Sequence, residues 1–248
     1  MIAAHELKEK AEERQELLAV RDSLGLELVK AVGLEPSGDL RGIRVHFVRH
    51  GRGEHNVFAA EYPQEKGNPY VDLQCPIDAV LVEEGRADAK RAGQQLSQRL
   101  GDRKAVCLVS PMRRTIQTMM GAREELSKPF IEIVAEESLR ERFGVHRCDS
   151  LAEYDRSVFG LVDWSRMHPV EEDPAKNGIR EPYADLLARG HRLVERLRRV
   201  SASHPNSDIV CFSHSSFLFA LFNGVLELKE EALVTPFATG EVRSIRLL

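Results

Sequence analysis

Reactive side chains follow several short apolar runs in this sequence, at the points where a strand would end. Arg49 and His50 follow the first of these runs, and Arg114 comes soon after the second. Glu141 follows a third run, and His214 follows a fourth. Because ligands of a parallel sheet bind beyond the carboxyl ends of its strands, we expect these side chains to converge on one crevice.

Imidazole, guanidinium and carboxyl groups at one crevice are the side chains that phosphoryl transfer requires. A neutral imidazole can attack phosphorus and form a phosphohistidine, which splits one difficult displacement into two easier ones. Guanidinium groups stay charged and bind pairs of phosphoryl oxygens, so they can hold the transferring group without a metal ion. A carboxylic acid can donate a proton to the leaving oxygen and later accept one from water. The residue types therefore indicate a phosphoryl-transfer site.

The elements predicted around these residues alternate between strands and helices. Apolar runs predict strands at residues 43–48, 105–109, 130–134, 209–212 and 242–247. Apolar residues at helical spacing predict helices at residues 84–100, 112–126, 181–201 and 217–223. This alternation is typical of a mostly parallel sheet that is covered on both faces. The predicted fold class is therefore α/β, a three-layer αβα sandwich with a mostly parallel central sheet.

The N-terminal region is predicted to be one helix over residues 4–32, ended by Gly33 and Pro36. Its apolar residues recur at intervals of three and four and form one stripe, namely Leu17, Val20, Leu24, Leu28 and Ala31. We expect a helical extension over residues 1–36, packed against a catalytic domain over residues 37–248. The stripe also suits a homo-oligomer or a partner protein.

Two stretches interrupt the alternation, at residues 53–81 and 145–178, and both are rich in Pro, Asn, Asp and aromatic residues. Insertions between the elements of a parallel sheet commonly form the rim of its binding site, so we expect these two to determine the choice of substrate. His55 and His146 lie within them. Each of these histidines either contacts the substrate or only makes local hydrogen bonds.

Composition argues against several classes of protein. The 248 residues include 35 Lys and Arg against 39 Asp and Glu, a net charge of -4, so no basic field attracts nucleic acid or a membrane surface. No apolar run approaches the ~20 residues that a transmembrane helix needs. The cysteines form no C-x-x-C motif and are expected to be buried free thiols: Cys75, Cys107, Cys148 and Cys211. We therefore expect a cytoplasmic protein that binds neither nucleic acid nor membranes.

From about residue 43 to the C-terminus, the order of these residues resembles the histidine phosphatase superfamily, also called the phosphoglycerate mutase-like family. The matching residues are Arg49, His50, Gly51 and Asn56, then Ser110, Pro111 and Arg114, then Leu139, Arg140 and Glu141, and finally His214. Asp78, Leu81 and Gly85 resemble the family's D-x-x-L-(S/T)-x-x-G segment, with Val82 in place of the hydroxyl residue. Residues 144–149 and 241–244 resemble the plant and fungal phosphoglycerate mutase-like phosphatases.

The resemblance implies a phosphoglycerate mutase-like fold and a catalytic role for each reactive side chain. His50 is implied to be the nucleophile, and Glu141 the proton donor. Arg49, Arg114 and His214 are implied to form a charged cradle for the transferring phosphoryl group.

The same resemblance implies the residues that bind substrate. Asn56 adds a hydrogen bond, and Gly51 follows the nucleophile. Ser215 stands where the family usually has glycine, and its backbone N–H can still face the phosphate. No cofactor and no metal ion is implied. The expected ligand is a phosphorylated small molecule.

Three functions remain open at this point. The first is metal-independent hydrolysis of phosphomonoesters through phosphohistidine at His50. The second is phosphoryl transfer of the phosphoglycerate mutase type. Mutases of this family resemble one another in having a C-terminal tail, whereas the last predicted strand ends one residue before Leu248, which favours hydrolysis. The third is a non-catalytic interaction protein that binds a partner through the N-terminal helix, which the complete set of reactive residues disfavours.

Overall fold

In the computed structural model of the protein, the described residues are 4–34, 42–153, 156–167 and 178–248. Their strands are β1 (Val29–Gly33), β2 (Ile43–Arg49), β3 (Ala105–Val109), β4 (Ile133–Ala135), β5 (Asp208–Ser213), β6 (Leu226–Glu227) and β7 (Val242–Leu247). Their α-helices are α1 (Ala4–Leu24), α2 (Glu54–Glu61), α3 (Glu83–Leu100), α4 (Arg113–Arg123), α5 (Tyr183–Ser203) and α6 (Ser215–Ala220). A π-helical turn, Leu221–Val225, continues α6.

These strands form one sheet in the order β4-β3-β5-β2-β7-β1-β6. Every pairing is parallel except the two that β7 makes with β2 and β1. In the centre, β2 and β5 run side by side, with Arg49 opposite Ser213 at their C-terminal ends. The residues that directly follow them, His50 and His214, are therefore neighbours. The predicted α/β class with a mostly parallel sheet is confirmed.

Side chains of the central strands alternate between two apolar cores, one on each face of the sheet. In β5, Ile209 and Cys211 join a core with residues of α1, α5 and α6. Val210 and Phe212, the alternate residues, join a second core with residues of α3 and α4. Because successive side chains of a strand point to opposite faces, this pattern gives the three layers predicted from the sequence.

The predicted helix over residues 4–32 is wrong in its last part. Helix α1 ends at Leu24 because Gly25 adopts a positive φ of 60°, a conformation that terminates helices. Residues Val29–Gly33 form β1, which pairs with β7 through Ala31 and Leu247. β-Branched residues favour this extended conformation. The predicted helix end near Pro36 and the domain boundary at residues 36 and 37 lie outside the described residues.

Helix α1 packs within the chain. Leu17 is completely buried in the core that α5 and the π-helical turn share, and Val20 packs against that core. A Cβ atom on Gly224 would lie 3.2 Å from a methyl group of Leu17, so glycine lets this helix approach closely. Only Leu24, at the end of the helix, is half exposed. Oligomerisation through the apolar stripe is therefore not supported.

Other element bounds differ modestly from prediction. The predicted strands at residues 105–109 and 242–247 match β3 and β7, although β7 is antiparallel. The strand predicted at residues 130–134 lies at Ile133–Ala135, and the helix predicted to begin at residue 217 begins at Ser215. Helix α2 lies in the first insertion and was not predicted, because its eight residues show no apolar period. Among the described residues, no helix is long and apolar enough to span a membrane.

The two insertions contact each other. The rings of Tyr70 and His146 lie 5.0 Å apart, and the amide of Asn68 donates a hydrogen bond to Nε2 of His146 (3.2 Å). The carboxylate of Asp78 accepts a hydrogen bond from the backbone N–H of Ala152 (3.3 Å). The described parts of both insertions thus form one continuous rim. Residues 154–155 and 168–177 of the second insertion lie outside the described residues.

Candidate active site

A cavity of about 540 Å³ lies beyond the C-terminal ends of β2 and β5. Its lining includes most of the site residues predicted from the sequence: Arg49, His50, Asn56, Arg114, Glu141 and Ser215. His214 lies behind this surface, fully buried, with its ring centre 5.1 Å from that of His50. Gly51 does not line the cavity. The structure therefore brings the predicted catalytic side chains together at one place.

The protonation of the His50 ring is fixed by its neighbour in the chain. Nδ1 lies 2.7 Å from the carbonyl oxygen of Gly51, which can only accept a hydrogen bond, so Nδ1 carries the proton. Burial, with the positive charge of Arg114 second, holds the pKa of His50 well below its usual value. At neutral pH the ring is therefore uncharged, and Nε2 keeps the lone pair that a nucleophile needs.

Gly51 and Gly85 allow the loop after His50 to pack against α3. A Cβ atom on Gly51 would lie 2.3 Å from the carbonyl oxygen of Gly85, and a Cβ atom on Gly85 would lie 1.9 Å from that of Arg52. Neither position has room for a side chain. The backbone N–H of Gly51 also donates a hydrogen bond to the hydroxyl of Thr118 on α4 (2.9 Å). Gly51 therefore supports the position of His50 rather than facing the cavity.

His214 has the opposite tautomer. Nε of Arg114 always carries hydrogen and donates it to Nδ1 of His214 (3.2 Å), so Nε2 carries the ring proton. That proton is donated to the hydroxyl of Ser110 (2.7 Å). Burial, followed by the charge of Arg114, holds the pKa of His214 well below its usual value. Arg114, which lines the cavity, and His214, which lies behind it, thus hold each other in place by a hydrogen bond.

Arg114 is held by the second insertion as well. Nη1 donates to the carbonyl oxygen of Cys148 (2.7 Å), and Nη2 donates to the carboxylate of Asp149 (3.0 Å). Arg180 and His146 also lie beside this carboxylate, at 3.4 and 3.6 Å. Burial by itself would raise the pKa of Asp149, but the hydrogen bond from His146 and the charge of Arg114 outweigh it and lower the pKa to about 2. No role for Asp149 was predicted from the sequence, because Arg114 and Arg180 come from segments distant in sequence.

Glu141 is held at the start of α6 by backbone N–H groups. Oε1 accepts hydrogen bonds from Phe217 and Arg142, both at 2.9 Å, and Oε2 accepts one from Ser216 (3.2 Å). Ser215 and Ser216 line the same side of the cavity. The carboxyl group is therefore held in one orientation at the wall of the cavity.

Arg189 on α5 supports the segment that carries Glu141. It is 5% exposed and makes a bidentate ion pair with Glu181, with N···O distances of 2.9 and 2.6 Å. Its guanidinium group also donates to the carbonyl oxygens of Ser138, Arg140 and Glu141. No sequence pattern predicts this role, because arginines of an amphipathic helix usually lie on its solvated face.

Asn56 and His55 lie together on α2 at the edge of the cavity. Oδ1 of Asn56 accepts the backbone N–H of Gly53 (2.9 Å), which closes a cap at the start of the helix. The ring of His55 is nearly buried 5.3 Å from that of His50, and its Nδ1 has no hydrogen-bond partner among the described residues. Burial, followed by the charge of Arg114, lowers the pKa of His55 well below its usual value. His55 therefore lines the cavity as a neutral ring.

Arg49 is oriented by a loop near the C-terminus. Its Nη1 donates to the carbonyl oxygen of Phe237 (2.6 Å). Arg243 on β7 holds that loop, because its guanidinium group stacks on the ring of Phe237 and donates to the carbonyl oxygens of Leu233, Thr235 and Pro236. Residues 241–244 resemble the family, but the resemblance implied no role for them. In the structure, Arg243 supports Arg49 through the loop that contains Phe237.

Helix α1 supplies two further residues of the cavity wall. Lys10 and Glu13 line the cavity and form an ion pair at 2.5 Å. No pattern in the sequence predicts this, because the pair belongs to a helix far along the chain from the other site residues. Trp164, in contrast, packs beside the core formed by α3 and α4 and does not line the cavity.

The described residues contain no group of three or more His, Cys, Asp and Glu side chains arranged to hold a metal ion. Arg49 and Arg114 bring two positively charged guanidinium groups to the cavity wall. Guanidinium groups can stabilise the charge of a phosphoryl group directly.

Comparison with known proteins agrees with this geometry. The model of the histidine phosphatase superfamily (branch 1) matches residues 45–246. Phosphoglycerate mutase-like protein 1 of Arabidopsis thaliana is 28% identical over 89% of this chain and 86% of its own length. A second Arabidopsis phosphoglycerate mutase-like protein is 29% identical over 78% of each chain.

Solved structures show the same fold. The ecdysone phosphate phosphatase of Bombix mori has a TM-score of 0.55 and 17% identity, over 82% of this chain and 88% of its own. Mycobacterial glucosyl-3-phosphoglycerate phosphatase has a TM-score of 0.51 and 17% identity, over 83% and 96%. With the family model covering nearly the whole described chain after β1, the protein belongs to the histidine phosphatase superfamily, branch 1.

Proposed function

We propose that the protein is a metal-independent phosphomonoester hydrolase that acts through a phosphohistidine at His50. The observation that carries this proposal is the buried, uncharged His50 ring, whose proton is fixed on Nδ1 by Gly51 beside two cavity-lining arginines. Membership of the superfamily supports phosphatase-type activity. The ligand is a phosphorylated small molecule that fits a cavity of about 540 Å³.

The first step transfers the phosphoryl group to the enzyme. Nε2 of His50 attacks phosphorus and forms a P–N bond while the bond from phosphorus to the alcohol oxygen breaks. Arg49, Arg114 and the buried His214 form the surroundings in which the phosphoryl charge is stabilised. Glu141 in its acid form donates its proton to the departing alkoxide, which leaves as an alcohol.

The second step returns the enzyme to its starting state. A water molecule attacks phosphorus, the P–N bond breaks, and the electron pair returns to Nε2 of His50. The carboxylate of Glu141 accepts the proton that the water loses. Its three backbone hydrogen bonds hold this group in one place for both steps.

The test is phosphate release from an aryl phosphate, sugar phosphates, sugar-acid phosphates and nucleotides, measured with a chelator present. We expect chelator-resistant hydrolysis by the wild type and a loss of several orders of magnitude in His50→Ala, because the nucleophile is removed. His204→Ala is the matched control, since that histidine is near Glu132 at the end of α5 and does not line the cavity.

Two results would contradict the proposal. His50→Ala with near wild-type turnover would exclude His50 as the nucleophile. A wild-type protein that moves phosphate between the hydroxyls of phosphoglycerate without releasing it would be a mutase. An acid-labile phosphoenzyme, trapped from the wild type and absent from His50→Ala, supports the covalent intermediate in either case.

A further inference from the structure

We infer that the outer part of the cavity binds the neutral, hydroxyl-rich alcohol portion of a phosphomonoester and disfavours substrates that carry a second anionic group. This inference rests on the proposed function and names its substrate class. It is carried by two ion pairs that line the cavity in addition to the arginine cradle, Lys10 with Glu13 and Arg180 with Asp149.

The ion pair of Lys10 and Glu13 on α1 also contacts α6. Nζ of Lys10 lies 2.5 Å from Oε2 of Glu13 and 5.2 Å from the ring centre of Phe219, which sits on α6. The side chains of Lys10 and Glu13 are 23% and 19% exposed. Leu17, completely buried two turns further along the same helix, fixes α1 against the domain. The cavity therefore meets an ammonium group whose charge is already matched by a carboxylate.

The second ion pair also places a cationic side chain beside a carboxylate. Nη1 of Arg180 lies 3.4 Å from Oδ2 of Asp149 and also donates to the carbonyl oxygen of Arg142. The pKa of Asp149 is about 2, so its carboxylate stays charged at any pH near neutrality. Arg180 thus brings hydrogen-bond donors to the cavity beside a carboxylate that it shares with Arg114.

The charges of the whole cavity favour a neutral leaving group. The described lining holds four cationic side chains, Lys10, Arg49, Arg114 and Arg180, and three carboxylates, Glu13, Glu141 and Asp149. With Glu141 in its acid form, as the proposed first step requires, the excess of positive charge is about two, and the roughly two negative charges of a bound phosphate monoester match it. A carboxylate or second phosphate on the substrate would lie beside Glu13 with no cation left to balance it. Like charges placed together in this way reduce affinity.

Hydroxyl groups suit this lining because each can both donate and accept a hydrogen bond. Lys10 and Arg180 supply donors, and Glu13 supplies an acceptor. The rings of Tyr70 and Phe237 line the same cavity and offer apolar faces for the C–H groups of a polyol. Burial raises the pKa of Tyr70 to about 12, so its phenol stays neutral.

The test compares substrates that differ only in a carboxylate. Glycerol 3-phosphate is paired with 3-phosphoglycerate, and glucose 6-phosphate is paired with 6-phosphogluconate. We expect wild-type kcat/KM to be higher for the neutral member of each pair. Glu13→Gln leaves Lys10 without its carboxylate, so the ratio of kcat/KM should shift by about tenfold toward the substrates with the extra carboxylate.

Glu16→Gln is the matched control. It removes the same charge from α1, but Glu16 is exposed and does not line the cavity, so the ratio should stay that of the wild type. A wild type that prefers the carboxylate-bearing substrates, or a ratio that Glu13→Gln leaves unchanged, overturns the inference.

Hydrolysis of 4-nitrophenyl phosphate separates failure of this inference from failure of the proposed function. Suppose that 4-nitrophenyl phosphate is hydrolysed and that this depends on His50. If glucose 6-phosphate and glycerol 3-phosphate are then not hydrolysed, or if Glu13→Gln does not change the ratio of kcat/KM, only the inference is wrong. If neither 4-nitrophenyl phosphate nor any of the four paired substrates is hydrolysed, the proposed function is wrong.

Discussion

At the scale of single residues, fixed neighbours decide which nitrogen of each site histidine carries the proton. The carbonyl oxygen of Gly51 requires a donor at Nδ1 of His50, whereas Nε of Arg114 requires an acceptor at Nδ1 of His214. The two rings lie 5.1 Å apart yet have opposite tautomers. In the proposed reaction, the free Nε2 of His50 attacks phosphorus, and His214 is bound to Arg114, which holds the phosphoryl group.

The proposed role of Glu141 as proton donor predicts that the effect of its substitution depends on the leaving group of the substrate. Glu141→Gln should lower kcat/KM for an alkyl phosphate by about 10² to 10⁴, because an alkoxide leaves poorly without a proton. The same variant should lose much less on 4-nitrophenyl phosphate, whose phenolate leaves unaided. Steady-state kinetics on both substrates measures the difference.

A neighbouring carboxylate provides the control for this prediction. Glu137 lies four residues earlier in the same segment and does not line the cavity. Glu137→Gln should leave the ratio of alkyl to aryl turnover unchanged. Equal losses on both substrates in Glu141→Gln would show that Glu141 is not the acid.

At the scale of the elements, a general rule of parallel sheets predicted the meeting of the site residues. His50 and His214 are 164 positions apart in sequence, yet each directly follows a central strand, and β2 and β5 are neighbours. Polar residues after successive strands could therefore be assigned to one crevice before any contact was known. The strands themselves were recognisable because they are buried on both faces and read as continuous apolar runs.

The spacing of apolar residues in the N-terminal region did not distinguish α1 from β1. Ala31 fits the apolar stripe of a helix and is equally buried as the central residue of β1, which lies between β7 and β6, so spacing alone does not distinguish the two. Supporting residues were also beyond prediction. Arg189 binds carbonyl oxygens of a segment distant in sequence, and Arg243 binds those of the loop that precedes its own strand. Any backbone offers such oxygens, so no residue type marks these partners.

The packing of α1 leads to a prediction about the N-terminal element. Leu17→Ala should lower the free energy of unfolding by about 2–5 kcal/mol, because it removes a completely buried side chain and leaves a cavity. Leu24→Ala is the matched control on the same helix. Leu24 is 49% exposed, so its truncation should cost about 0.5 kcal/mol or less.

Urea denaturation of the two variants measures this difference. A helix that served only to bind a partner would give the opposite result, with both variants as stable as the wild type. Because Lys10 and Glu13 reach the cavity from α1, Leu17→Ala should also weaken catalysis under conditions where the protein remains folded.

At the scale of the whole molecule, burial of the site links stability to pH. Burial is the main cause that lowers the pKa values of His50, His55 and His214 well below the usual range. In the unfolded chain the same histidines titrate near pH 6.5. Between that value and their lower folded pKa values, the unfolded state binds more protons than the folded state.

The lowered pKa values of these histidines make the folded protein less stable as the pH falls. Where the unfolded state binds more protons, the free energy of unfolding rises with pH, so this contribution is complete above about pH 6.5 and is lost as the pH falls. Between pH 7.5 and 5.5 each of the three histidines should cost about 1 kcal/mol. Urea denaturation at the two pH values, followed by the fluorescence of Trp164, the sole tryptophan, measures the loss.

His55→Asn identifies the source of this pH dependence. The variant removes one buried imidazole without removing the proposed nucleophile, so its loss of stability between pH 7.5 and 5.5 should be smaller than that of the wild type by about 1 kcal/mol. The comparison uses the change with pH within each protein, which cancels any constant cost of the substitution. If the wild type is equally stable at both pH values, or if His55→Asn loses as much as the wild type, the buried histidines are not kept neutral by the fold. If both measurements agree with the prediction, the burial that keeps His50 uncharged at neutral pH is also what makes the whole domain less stable in acid.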